Sequence, residues 1–470
     1  VLSALWAQRA AGQTTLQPQA WDAGVRLPEA TDLNKDAHIV EINLDAQVAP
    51  VEIAPGQRIQ AFTYNGGVPG PLIRVRAGDR LIVHFSNHLP QPTTVHWHGL
   101  RVPIQMDGVP GHSQPEVQPG GTFTYDFIVP DAGLFWYHPH VMSAAQVGFG
   151  LYGALLVEDP NDRVGVTDEL VLVLSDIATE RDNTLESPES GGSLGMVFGR
   201  EGNHVLVNGR ERPRINVRSG APMRWRIVNA AKSRFFKLDM DGQVMTRIGG
   251  DGGLIEHPVE SDTLVLATGE RADIIVAPGV PAGREIVLRS FPFNRGYGSV
   301  EFRAVEELLV VSVSDLPPYS GPPLPAIGRR IEPLSRAGAT EVKVQLTLEQ
   351  LPSGAFQYGI NGVPFADKAP IRARIGETQL WTIENKTKWS HPFHLHGFFF
   401  QVLDEAGEPI RPMEWKDTVN VPLEQSVRLL VRFDERPGHW MYHCHILDHA
   451  DGGLMGMVEL GVAHGDHETH

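Results

Sequence analysis

Pro71-Leu72-Ile73-Arg74-Val75-Arg76-Ala77-Gly78 begins a pattern that this chain carries three times. The second copy is Pro213-Arg214-Ile215-Asn216-Val217-Arg218-Ser219-Gly220, and the third is Ala369-Pro370-Ile371-Arg372-Ala373-Arg374-Ile375-Gly376. In each, a glycine stands nine residues before an asparagine: Gly78 and Asn87, Gly220 and Asn229, Gly376 and Asn385. Apolar and polar residues alternate on both sides of the glycine, which reads as strand, turn, strand. An Asn-Gly pair precedes each copy, at Asn65-Gly66, Asn208-Gly209 and Asn361-Gly362. Both residues tolerate positive φ, so the pair favours tight turns. One such match could arise by chance. Three in register, evenly spread, predict three homologous β-domains.

The rest of the chain agrees. Its 470 residues exceed one ordinary core and suit about three domains of ~150 residues. Gly 49 and Pro 36 favour many short strands over long helices. Further strands are expected at Leu81–Phe85, Thr122–Val129, Leu170–Leu174, Ile274–Val276 and Val427–Phe433. The expected division is 1–160, 161–315, a Pro/Gly-rich linker 316–338, and 339–470. No apolar run reaches the ~18 residues of a membrane span. A net charge of −16 disfavours nucleic acid and anionic membranes as partners. Val1 to Gln13 lacks a basic start and a full apolar stretch, so no signal peptide is read there.

Cys444 is the only cysteine, so no intramolecular disulfide can form. It lies in His443-Cys444-His445-Ile446-Leu447-Asp448-His449, one of four His-x-His triplets. The others are His96-Trp97-His98, His138-Pro139-His140 and His394-Leu395-His396. Random placement would give about one such triplet. Side chains i and i+2 of a strand share a face, so each triplet offers two imidazoles to one side. Imidazole suits copper and zinc, and eight imidazoles are too many for one ion. If His443 and His445 face a cluster of ions, Cys444 faces the other way. There His449 and His391 are candidates to complete a two-histidine, one-cysteine copper site. His38, His84, His88, His112, His204, His257 and His439 read as ordinary core or surface residues, and His464, His467 and His470 as a solvated tail.

With these motifs, His391-Pro392-Phe393-His394 and Trp136-Tyr137-His138 included, the whole chain resembles the three-domain multicopper oxidases, the laccase-like family. The resemblance implies three cupredoxin Greek-key β-sandwiches and four copper ions. It implies a type 1 site at His391, Cys444 and His449, and a type 2 site at His96 and His394. It assigns His98, His138 and His445 to one type 3 copper, and His140, His396 and His443 to the other. The middle repeat would then be a copperless spacer. A small reducing substrate would dock at an exposed edge of His449 and give single electrons, which Cys444 would pass to the cluster for reduction of O₂ to water. Asp107 would relay protons. A periplasmic or secreted monomer is implied.

Two positions depart from the family pattern. The axial position of the type 1 site is Leu454, with Met455 next to it, and a leucine cannot coordinate. Its absence from the metal's ligand set predicts a raised potential. Ala450 replaces an acid that bacterial members often carry, leaving Asp448 or Asp451 as candidate substitutes. Ten methionines without a dense run favour a phenol or aromatic amine as substrate over Cu(I), the alternative of copper tolerance. A non-catalytic copper-binding protein is a third possibility, disfavoured because every expected ligand position is filled.

Overall fold

The computed structural model describes residues 25–461 apart from 163, 298 and 299. The segment Val1 to Gln13 and the three C-terminal histidines lie outside the described residues.

Each copy of the repeated pattern forms the predicted strand, turn and strand. Ile73–Arg76 leads to Arg80–Asn87, Arg214–Val217 to Met223–Asn229, and Ile371–Arg374 to Thr378–Asn385. The two strands of each pair go to different sheets. Gly78, Gly220 and Gly376 take φ of +94°, +67° and +79° at the turn, where a side chain would be strained.

The asparagines explain the fixed spacing. Each ends its strand and is buried. The Oδ1 of Asn87, Asn229 and Asn385 accepts the backbone N–H two residues on, at 2.9, 3.0 and 2.9 Å. Each Nδ2 donates to a carbonyl of the following loop and to one from a distant segment. Asn65, Asn208 and Asn361, all at positive φ, likewise accept a backbone N–H from a neighbouring strand at 2.7, 2.6 and 2.7 Å.

The strands form six sheets, two from each repeat. In all three repeats the first long strand pairs parallel with the strand after the turn, as in Ile39–Ala54 with Arg80–Asn87. In all three the strand before the turn pairs parallel with the last strand. Each sheet pair closes over one apolar core. In the third repeat, Val344, Trp381 and Leu429 of one sheet meet Phe393, Trp440 and Val458 of the other. The fold is the expected all-β architecture, and no regular element lies between Val313 and Thr340. The described α-helices are three short ones, α1 (Ser143–Gly148), α2 (Gly192–Phe198) and α3 (Leu447–Asp451), and no described helix is long and apolar enough to cross a membrane.

Candidate metal centre

The strand His96–His98 pairs antiparallel with Gly133–His138, setting His96 opposite His138. In the third repeat His391–Leu395 pairs with Gly438–Cys444, setting His394 opposite His443 and Phe393 opposite Cys444. Only the first triplet lies wholly within a strand. His140, His396 and His445 stand just past a strand end, a departure from the strand expectation. Pro139 shows one cause, since proline has no N–H for the ladder.

The first and third repeats meet ring on ring. His96 stacks on His396 with centroids 3.9 Å apart, and His98 on His394 at 3.8 Å. Candidate ligand atoms fall within 4.8 Å of one another in three imidazole groups: His96 with His98 and His394, His98 with His138 and His445, and His140 with His396 and His443. His98 is thus within reach of two groups. Every one of these rings is buried.

Hydrogen bonds fix which nitrogen faces inward. Nδ1 of His96 donates to the Asp107 carbonyl (2.7 Å), of His394 to the Asp417 carbonyl (2.9 Å), of His396 to the Asp107 carboxylate (2.9 Å), and of His138 and His443 to nearby backbone (2.9 and 2.8 Å). Anchoring one ring nitrogen leaves the other free for a metal. His96, His138 and His394 leave Nε2 buried without a partner. His98 is reversed: Nε2 contacts Asp417 at 3.2 Å and Nδ1 is the orphan. Orphaned nitrogens inside a protein are costly, and several aimed at one point fit metal ions. Burial, then neighbouring imidazoles, pulls His138, His140, His443 and His445 well below the usual histidine range. The rings are therefore neutral, the form that binds a metal.

On the opposite side of the strand end, Cys444 is buried with His391 and His449. Sγ lies 3.3 Å from His391 Nδ1 and 3.6 Å from His449 Nδ1, and the two nitrogens are 3.1 Å apart. The centre of that triangle is about 1.9 Å from each corner, close to a metal–imidazole bond length. Two histidines and one cysteine in a trigonal set are the donor chemistry of a blue copper site. Burial pushes the Cys444 thiol up, so the sulfur becomes a thiolate only when a metal takes the proton's place. Leu454 shares the Cys444 core and passes its carbonyl to the Cys444 N–H (3.1 Å), whereas Met455 packs elsewhere with Met441, Met457 and Val109.

One expectation fails. His449 has no exposed edge: its ring is fully buried. Helix α2 of the middle repeat and Tyr358 cover it. The Tyr358 ring lies 4.6 Å from the His449 ring, and Tyr358 Oη donates to the Val197 carbonyl at 2.7 Å. His449 Nε2 is buried without a hydrogen-bond partner. Met196 packs against the Cys444 core from the same helix. The middle repeat is therefore more than a spacer. It also pins Asp448 through Arg200 and Ser233. Asp451 accepts the Ala144 N–H at 2.9 Å, and Ala450 is buried beside them.

Asp107 is fully buried, and its carboxylate sits 2.9 Å from His396 and 3.4 Å from His96. Burial alone would raise it, but the two histidines hold it well below the usual carboxylate range. Asp417 was not anticipated. It touches His98 and His394 and pairs with the fully buried Arg271. Its local sequence, Trp415-Lys416-Asp417-Thr418, resembles no motif, and its partner lies 146 residues away.

Comparison with known proteins agrees with this geometry. Three multicopper-oxidase family models match residues 45–162, 168–283 and 338–463. The chain is 31% identical to the multicopper oxidase MmcO of Mycobacterium tuberculosis over 88% of its own length and 86% of that protein's. It belongs to the multicopper oxidases. It is also 28% identical to a laccase of Bacillus subtilis, covering 85% of this chain and 90% of that one. A solved multicopper oxidase of Campylobacter jejuni, described as a metallo-oxidase, superposes with a TM-score of 0.83 at 27% identity, over 96% of this chain and 98% of that one. The paired sheets are thus cupredoxin-like sandwiches of the multicopper-oxidase type.

Proposed function

We propose that this multicopper oxidase is a metallo-oxidase, taking single electrons from Cu(I) and delivering four of them, with four protons, to O₂ to form two waters. The observation that carries this reading is the burial of His449 beneath α2. A planar phenol needs its ring against the imidazole edge, and Tyr358 and Val197 occupy that position. A small ion needs only a docking point on the cover. Met196 supplies a thioether there, the donor that suits soft Cu(I). The likeness to a metallo-oxidase of C. jejuni supports the same reading.

In this reading His391, Cys444 and His449 hold the type 1 copper. His96 and His394 hold the type 2 copper, His98, His138 and His445 one type 3 copper, and His140, His396 and His443 the other. Copper, when bound, supplies the one-electron chemistry at the first site and the multi-electron chemistry at the second. The chain supplies the rest. Cys444 joins the two sites through its backbone bonds to His443 and His445. Asp107 holds His396 in one tautomer and, kept ionised beside two histidines, would first accept a proton and then pass it inward. Leu454, packed in the Cys444 core, would keep the surroundings of that copper apolar. The family's usual compartment, the periplasm or cell exterior, is taken as the place of work.

One feature favours a phenol or aromatic amine instead. Leu454 stands where the family pattern has a coordinating residue, and its lack of a donor atom would raise the type 1 potential, a benefit for donors that are hard to oxidise. Oxygen uptake with Cu(I) and with a phenol, on one preparation, tests the choice. Cu(I) is expected to give the higher kcat/KM, and deletion of residues 190–198 is expected to raise phenol turnover selectively. Faster phenol turnover by the intact enzyme would sink the metallo-oxidase reading.

A further inference from the structure

Near the cysteine site lies a half-open cavity of about 350 Å³, lined by Glu201, Arg234, Phe235, Arg295, Tyr297 and Arg303 among others. In a chain of net charge −16, this wall sets three arginines against Glu201 and Glu306. Arg234 is satisfied, by Asp176 at 2.8 Å and the Gly202 carbonyl at 2.7 Å. Arg303 lies 3.6 Å from Glu201. Arg295 is only 1% exposed. Its Nη2 donates to Glu201 at 2.9 Å and to Tyr297 Oη. Its Nε and Nη1 have no partner.

A buried guanidinium with idle N–H groups is rare, because each unmade hydrogen bond of a charged group is costly. The faces of Arg295 are already used, lying 4.3 Å from the Tyr297 ring centroid and 5.8 Å from that of Phe235. What remains is donor capacity for an anion, set among aromatic rings. The cavity also adjoins the cysteine site. The Arg295 carbonyl accepts the Ser390 N–H at 2.7 Å, and Ser390 precedes His391. Phe198 of α2 stacks on Tyr297 at 5.0 Å and meets Trp389 at 5.4 Å. Phe235 of the cavity wall also packs in the core that holds Cys444.

We propose that this cavity binds a small organic anion, a carboxylate on an aromatic or apolar body, with Arg295 as its anchor and Arg303 beside it. Arg295 matches a carboxylate in charge and donors, and Phe235 and Tyr297 match its body. The seated anion offsets the positive charge of Arg295, whose backbone is bonded to the residue before His391. It therefore lowers the potential of the copper-loaded site and weakens its pull on the donor, whichever donor that is.

The test uses the copper-loaded enzyme, with benzoate as probe and benzamide as its neutral counterpart. Calorimetry is expected to show one benzoate bound per chain, about tenfold or more tighter than benzamide, the value of a charge-assisted hydrogen bond. Saturating benzoate is expected to lower the type 1 potential. R295M is expected to weaken benzoate about tenfold or more with the blue absorption intact, and R295K to recover part of the loss. R303M weakens it to a smaller extent and decides the matter if R295M does not fold. Benzoate held no better than benzamide by the native enzyme would overturn the proposal. So would benzoate binding that persists unchanged in the variants, which would place the anion on copper instead.

Discussion

The two ligand groups that share the end of the strand Gly438–Cys444 have opposite surroundings. Around Cys444 the neighbours are Leu454, Ile446, Phe235 and Tyr358, all packed in one apolar core. Among the described residues, the one side-chain oxygen hydrogen-bonded to His391 is the Thr387 hydroxyl, at 2.7 Å. Around the eight imidazoles lie two buried carboxylates, Asp107 and Asp417, and behind Asp417 stand Arg271, Asp251 and Lys416. Under the proposed function the difference matches what each site would handle. Accepting and passing an electron needs no proton and is served by a dry, rigid setting. Making water consumes protons and builds up charge, and that needs acids and counter-charges in place beforehand.

The comparison is most open to attack where the charges are buried. Arg271→Met leaves Asp417 ionised and unpaired inside the protein, and is expected to cost about 3–5 kcal/mol of stability. Thr387→Val, on the cysteine side, removes a hydroxyl that serves His391, Asn385 and the Trp389 backbone through neutral hydrogen bonds, and is expected to cost about 1–2 kcal/mol. Urea denaturation of both variants measures the contrast. Equal losses would mean that the two sides do not differ as described.

Asp107→Asn comes next. The amide keeps the shape and can still accept from His396, but it cannot carry a proton. Turnover of O₂ is expected to fall about 10- to 100-fold, the usual effect of removing a partner of a metal ligand. The blue absorption and the rate at which Cu(I) bleaches it should stay unchanged. Turnover with an unaltered pH profile would remove the proton-relay role.

These contrasts were only partly legible in the sequence. The strand–turn–strand repeats and the histidine triplets could be read because their logic is local: period-2 alternation, Gly at a turn, and His at i and i+2. The helix over His449 was not, since Gly191-Gly192-Ser193-Leu194-Gly195 carries neither a good N-cap nor a helical apolar stripe. It is held by tertiary contact with Tyr358 and α3. Arg271 and Asp417, and likewise Arg295 and Glu201, are far apart in the chain. Such pairs leave no periodic trace.

A smaller effect separates the copper-free from the loaded protein. Burial holds His391 and His396 near 3, against an ordinary value of 6.5. A histidine depressed on folding must stay neutral in the folded state. Its contribution is intact above the unfolded value and is lost as pH falls from about 6.5 to about 3. The copper-free protein should therefore lose thermal stability steadily through that window. With copper on the same nitrogens the melting temperature should be higher throughout that window, and the loss, which starts at the same unfolded value, should run on to lower pH. Thermal scans of both forms from pH 7 to pH 3 check this, and superimposable curves would show that these nitrogens do not hold the metal.

Leu454→Met is the mildest test and the most selective. Leu454 is fully buried in the Cys444 core, and methionine is close to it in volume, so stability should change by less than ~1.5 kcal/mol. The thioether adds a weak axial donor, which stabilises the oxidised site and lowers its potential. Donors that are hard to oxidise should slow, while Cu(I) should be affected less. The imidazole cluster lies beyond the strand, so its absorption and its reaction with O₂ after full reduction should not move. A change confined to the blue site would show that the apolar side tunes the electron without touching the proton chemistry. A parallel change at the cluster would mean that the shared strand couples the two sites more tightly than their separate surroundings suggest.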